Sequence, residues 1–269
     1  MSDRVAILGA GKMGEALLSG LLRSGRPNED LVVSTRDLER GRVLGERHTV
    51  EVKESGDAVE SVDTVVIAVK PQDMSSLLDE ISDRVRPEQL VVSVAAGITT
   101  GFIEHRLAAG TPVVRVMSNT PVLVDEAMSA ISPGTHAEEH HLARTEALLQ
   151  PVGRTIRVPE SQQDAVTALS GSGPAYFFYL VEAMTDAGIL LGLPRQVAHD
   201  LIVQTAIGAA VMLRDSGQTP QILREAVMSP AGTTIAAIRQ MENHKVRAAF
   251  LAALEAARDR SRELASGHE

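Results

Sequence analysis

The chain has 269 residues, a net charge of −9 and 44% hydrophobic residues, enough core for one large domain or two modest ones. Aromatics make up only 2% and neither Trp nor Cys occurs, which excludes disulfides, thiolate metal sites and cysteine nucleophiles. The negative balance argues against nucleic acid as a partner. No uninterrupted apolar run reaches the roughly 20 residues of a bilayer span, and the first strand begins too early for a signal peptide, so the expectation is a soluble, cytoplasmic protein without a membrane partner.

In chain order, the apolar stretch Val5-Ala6-Ile7-Leu8 runs into Gly9-Ala10-Gly11-Lys12-Met13-Gly14 and then into an amphipathic helix over 14–24. A G-x-G-x-x-G run is weak evidence alone; between a strand and a helix it reads as a dinucleotide-binding turn. Gly9 permits the tight turn, Gly11 lets the backbone approach a pyrophosphate, and Gly14 lets helix and strand pack closely. The helix start offers its free N–H groups and positive dipole end to the phosphates. Further strands are predicted over 31–35, 64–69, 90–94 and 113–117, with helices over 37–47, 72–85 and 100–109 between them. These Val/Ile/Leu runs are those of parallel strands buried on both faces, and the alternation points to an open, doubly wound α/β sheet. Weaker strands over 127–132 and 154–158 flank a helix over 137–150.

After Val158-Pro159 the pattern is helical: 162–169, 174–191, 194–216, 220–227, 234–241 and 245–264. Pro194 and Pro220 suit first-turn positions, and Thr219 suits a cap. The expected division is therefore 1–159 and 160–269. The stretch from Leu201 to Leu213 is apolar nearly all round, and a helix without a polar face is buried on all sides. A helical domain of this size has little interior to hide it, so a second subunit in an isologous dimer is the expected cover.

The second strand ends about 20 residues past the glycines, where NAD enzymes place an acidic residue for the ribose 2′-hydroxyl. This chain has Ser34, Thr35 and Arg36 there, hydroxyls and a guanidinium suited to a 2′-phosphate. NADP(H) is favoured over NAD(H), with the neighbouring Asp37 as the argument for the other choice. Ala68-Val69-Lys70-Pro71 and Ala95-Ala96-Gly97 close later strands and are expected at the same crevice. Two helix-breaking segments, Ser170-Gly171-Ser172-Gly173-Pro174-Ala175-Tyr176 and Ser229-Pro230-Ala231-Gly232-Thr233-Thr234, read either as plain connections or as sites offering backbone N–H groups to a carboxylate. His140-His141 is a poor metal candidate because adjacent helical residues do not share a face, and no metal is expected. No strong acid–base group stands out for handling an alcohol proton, whereas a protonated imine needs only a hydrogen-bonding hydroxyl at its nitrogen.

The glycine turn, Ala68-Val69-Lys70-Pro71, Ala95-Ala96-Gly97-Ile98-Thr99, Asn119-Thr120-Pro121 and both helix-breaking segments occur in the order found in pyrroline-5-carboxylate reductases, and the resemblance spans essentially the whole chain. It implies NAD(P)H-dependent reduction of 1-pyrroline-5-carboxylate to L-proline, the last step of proline biosynthesis. It also implies an N-terminal Rossmann-type doubly wound sheet and a C-terminal all-helical dimerisation domain, in dimers that assemble further into decamers. By the resemblance, Thr234 hydrogen-bonds the substrate ring nitrogen, and Ser229, Gly232 and Thr233 hold the carboxylate beside the cofactor of the partner subunit. Gly9 to Gly14, Ser34 to Arg36, Ala68 to Pro71, Ala95 to Gly97 and Glu160 would contact the cofactor. Ala231 stands where the family usually has Gly, a position where the backbone calls for φ > 0, and Ser118 stands where it usually has Pro. The competing readings are a related NADP-dependent imine or β-hydroxyacid reductase and a non-catalytic NADP(H)-sensing dimer. The absence of a lysine between Gln162 and Leu193 argues against a β-hydroxyacid enzyme.

Overall fold

The computed structural model describes residues 3–266. Two compact units form, one running up to Ser172 and resuming from Ala257, the other Gly173–Ala256. The first contains an eight-stranded sheet of β1 (Val5–Leu8), β2 (Leu31–Ser34), β3 (Glu51–Val52), β4 (Thr64–Ile67), β5 (Leu90–Ser93), β6 (Val113–Met117), β7 (Ala127–Pro133) and β8 (Gly153–Arg157). Their spatial order is β3-β2-β1-β4-β5-β6-β7-β8. Neighbours pair in parallel except β6 with β7. The first six strands follow the doubly wound dinucleotide-binding order, with the direction of winding reversing at β1 and β4.

Helices α1 (Lys12–Arg23), α2 (Leu38–His48), α3 (Ser55–Glu60), α4 (Met74–Ile81), α5 (Thr100–Glu104), α6 (Glu139–Leu149) and α7 (Gln163–Val166) belong to this unit. Strand alternation divides the core in two: Val5 and Ile7 join Leu17, Leu21 and Val92 on one face. Ala6 and Leu8 join Ile67, Leu78 and Ile81 on the other. Both faces are sealed, which is why these strands read as unbroken apolar runs. The expected helix over 72–85 divides into a 3₁₀ turn, Pro71–Asp73, and α4, and that over 100–109 shrinks to α5. β3 and α3, at two and six residues, are too short to show a period in the sequence.

The second unit holds α8 (Gly173–Leu190), α9 (Arg195–Asp215), α10 (Pro220–Ala226), α11 (Thr233–Asn243) and the start of α12 (Val246–Ser266). α8 lies so close to α9 that a Cβ on Gly188 would stand 2.6 Å from that of Ala198. Only Gly173, Thr185 and Ala198 are buried in this unit. Phe177, Phe178, Tyr179, Leu190, Leu201, Ile207 and Met212 are all exposed, an apolar surface well beyond the scattered residues normal on a monomer. α9, at 21 residues and mean hydropathy 1.3, is long and apolar enough to cross a bilayer. A count of uninterrupted apolar residues misses this because Gln204 and Thr205 interrupt the run.

Candidate active site

The crevice opens at the carboxyl ends of β1 and β4, where the strand order reverses. Gly9, at φ 102°, donates its N–H to the Ser34 carbonyl at 2.8 Å, and Ala68 donates to the Leu8 carbonyl at 2.7 Å. A Cβ on Gly9 would stand 2.7 Å from the Ala68 carbonyl carbon, and one on Gly14 would stand 2.1 Å from the Gly9 oxygen. The fold itself requires both glycines. Gly11 differs: it caps α1, and a Cβ there would meet no protein atom within 4 Å. Its bareness serves the open crevice, where the first-turn N–H groups of α1 lack intrahelical partners. Lys12 is exposed at that end, Met13 half-buried and Ala10 buried.

Gly9, Ser34, Thr35, Arg36, Ser55 and Val69 line one small recess. Ser34 is buried with its hydroxyl 3.1 Å from that of Ser55, while Arg36 is exposed. Asp37 is occupied as the cap of α2, accepting from the Arg40 N–H at 3.0 Å. Arg40 also donates from Nε to the Ala10 carbonyl at 3.1 Å and pairs with Glu15, bracing the glycine turn from behind. The sequence gives no signal for Ser55 or Arg40, since α3 is too short to recognise and Arg40 reaches the turn across α2. The hydroxyls, the guanidinium, a helix start without a side-chain cap and the bare side of Gly11 together fit NADP(H).

A second cavity, of about 540 Å³, lies at the ends of β4 and β5, with Pro71, Ala96 and Gly97 on one wall and Thr167, Ser172, Arg260 and Ser261 on another. Ala95 is buried beneath it, and Lys70 is exposed at the start of the 3₁₀ turn. Ser261, 7% exposed, donates to Asp164 at 2.7 Å and fastens the end of α12 here. Glu160 accepts from the Thr100 N–H at 2.8 Å and its hydroxyl at 2.7 Å, and pairs with buried Arg115 at 3.2 Å. Its carboxylate is thus engaged at the start of α5.

The Ser170–Tyr176 segment is not the open break that its glycines suggest. Thr167–Gly171 is a π-helical turn closed by Ser172 N–H to the Thr167 carbonyl at 2.8 Å, and α8 starts at Gly173. Such turns widen a helix to re-aim side chains. A Cβ on Gly171 would stand 2.3 Å from Met117 Cε, the flexible end of a side chain that can shift aside. Asn119 links two of the sequence motifs, donating to the Ser170 carbonyl at 3.3 Å and accepting from Met128 N–H at 3.1 Å. Ser118 is buried and satisfied, accepting from the Ser129 hydroxyl at 2.9 Å.

In the second unit, Gly232 caps α11 without any side-chain hydrogen bond to the helix. Gly232 donates to the Ser229 carbonyl at 3.0 Å, and a Cβ on it would strike the Ser229 hydroxyl at 2.2 Å. Ala231 sits at φ 59°, in the left-handed region that its sequence position suggests, at a cost of about 1 kcal/mol. Thr234 is half-buried, and Ser229 and Thr233 are exposed. Among the described residues no cluster of three His, Cys, Asp or Glu side chains is placed to hold a metal.

The sheet order, the glycine turn and the recess define a two-domain oxidoreductase with a Rossmann-type NADP-binding domain and a helical second domain. The family model for pyrroline-5-carboxylate reductase dimerisation matches residues 160–264, and that for coenzyme F420-dependent NADP oxidoreductases matches residues 4–97. A pyrroline-5-carboxylate reductase from Mycobacterium tuberculosis is 46% identical over 97% of this chain and 96% of its own length. A solved pyrroline-5-carboxylate reductase from Coxiella burnetii superposes with TM-score 0.93 at 33% identity, over 98% of this chain and 99% of that one. The NADP-bound pyrroline carboxylate reductase of Plasmodium falciparum gives TM-score 0.86 at 26% identity, over 98% of each chain. The chain belongs to the pyrroline-5-carboxylate reductase family.

Proposed function

We propose that this enzyme reduces 1-pyrroline-5-carboxylate to L-proline with NADPH, completing proline biosynthesis. The observation that carries the reading is the Gly9–Gly14 turn with Gly11 facing an open crevice, in a chain 46% identical to a pyrroline-5-carboxylate reductase. Gly9, Ala10, Gly11, Lys12, Met13 and Gly14, at the first turn of α1, would hold the pyrophosphate. Ser34, Thr35 and Arg36 would hold the 2′-phosphate. Ala68, Val69, Lys70, Pro71, Ala95, Ala96 and Gly97 would hold the remainder of the cofactor. Glu160 acts beside it by fixing the start of α5. When bound, NADPH supplies a hydride to an electrophilic carbon.

At the protonated imine, the Thr234 hydroxyl oxygen accepts a hydrogen bond from the ring N–H, orienting the substrate while the nitrogen keeps its proton as C5 becomes tetrahedral. Ser229, Gly232 and Thr233 receive the carboxylate. The support is that the α11 start has no side-chain cap, leaving its first N–H groups for an anion. Residues 1–159 form the cofactor domain and 160–269 the dimerisation and substrate domain. The working form is an oligomer, with the decamer as its larger assembly, in the cytoplasm. The test follows NADPH oxidation with pyrroline-5-carboxylate against a panel of other cyclic imines, keto acids and β-hydroxyacids. Turnover with pyrroline-5-carboxylate well above the rest is expected, and a keto or hydroxy acid as the better substrate would overturn the assignment.

A further inference from the structure

The wall of the recess facing Ser34, Thr35 and Arg36 carries Asp73 and Leu77. Asp73 occupies the cap position of α4, where an Asp ordinarily accepts from a helix N–H. Its side chain makes no such bond. Instead it accepts from Arg36 at 2.8 Å, and Arg36 also donates to the Ser76 hydroxyl at 2.5 Å. Asp37, the carboxylate that sequence spacing nominates, is held by its own helix cap. The recess therefore presents one guanidinium and one carboxylate, paired across it.

We propose that Asp73 sets the balance between NADPH and NADH in this recess. The inference rests on the reading that the adenosine ribose of the cofactor lies there. The two groups act on the ribose 2′ position in opposite senses. A carboxylate accepts a hydrogen bond from a 2′-hydroxyl, the part an acidic residue plays in NAD enzymes. The same carboxylate repels a 2′-phosphate and occupies the guanidinium that would bind it. Both partners are well exposed, with side chains 62% and 39% accessible, so the pair is weak enough for a phosphate to displace. With NADH the Arg36–Asp73 pair stays closed and Asp73 serves the hydroxyl. With NADPH the pair opens and Arg36 turns to the phosphate. Asp73 thereby lowers the preference for NADPH that Arg36 alone would give.

The test is equilibrium binding of NADPH and NADH, read by cofactor fluorescence, for wild type, Asp73→Asn, Asp73→Ser and Arg36→Ala. Removing the charge of Asp73 is expected to tighten NADPH about fivefold and leave NADH unchanged or weaker, in both Asp73 variants. Raising the salt concentration narrows the NADPH difference, because the effect is one of charge. An unchanged NADPH-to-NADH ratio, or equal weakening of both cofactors, would overturn the proposal. Arg36→Ala tests the underlying placement: NADPH weakened about tenfold with NADH unaffected supports it. If Arg36→Ala changes neither affinity, the ribose lies elsewhere and both readings fall.

Discussion

In the first unit Val5, Ile7, Val66 and Val92 are sealed in the core on one face of the sheet, whereas in the second Phe177, Phe178, Tyr179 and Ile207 are each more than half exposed. Burying four such side chains is worth about 1.5–3 kcal/mol each, or about 6–12 kcal/mol together. That rivals the whole stability of a domain, about 5–15 kcal/mol. The first unit completes its core within one chain. The second leaves a core's worth of apolar surface open, in the part matched by the dimerisation family model. Self-sufficiency belongs to the nucleotide-binding part, and dependence on a partner to the helical part.

Variants that strike one unit and spare the other sharpen this contrast. The largest effect is expected from Ile207→Glu in the apolar run of α9, where a buried unpaired charge costs about 3–5 kcal/mol. Sedimentation should show the oligomer dissociating and turnover collapsing, while NADPH titration shows the nucleotide-binding unit intact. Gly14→Ala inverts the pattern. Its Cβ would meet the Gly9 oxygen, costing about 1–3 kcal/mol, so calorimetry should show the first unit destabilised and NADPH weakened while the oligomer persists. Ala231→Gly relieves a left-handed backbone and should raise stability by about 0.5 kcal/mol, measured by denaturant titration.

The smallest effect concerns pH. His141 accepts from the Glu138 N–H at 3.0 Å in the cap of α6. Burial, helped by neighbouring His140, holds its pKa below the ordinary 6.5. Between that lowered value and about 6.5 the unfolded chain binds the extra proton and the folded chain does not, so stability falls as pH drops through this window. His141→Gln should flatten the fall in a denaturation series from pH 7.5 to 5.5.

Much of this was legible in the sequence because periodicity is a local property. The bounds of β1 and β6 coincide with those read from the sequence, and the positive φ of Ala231 matches the glycine that the family resemblance puts there. What the sequence hid depends on non-local register or on very short elements. β3 and α3 have too few residues for a period. The π turn at Thr167–Gly171 looks like a loop because Ser170, Gly171, Ser172 and Gly173 carry the composition of one. Asp73 meets Arg36 only because α4 and the end of β2 face one recess, 37 positions apart in the chain.

With cofactor binding proposed for one unit and the hydroxyl that assists the imine for the other, Thr234→Ala is the most direct test of this division. NADPH affinity and NADPH oxidation with pyrroline-5-carboxylate are measured on the same preparation. Turnover is predicted to fall about a hundredfold while the NADPH dissociation constant stays within about twofold of wild type. Undiminished turnover, or turnover lost only in step with NADPH binding, would contradict it.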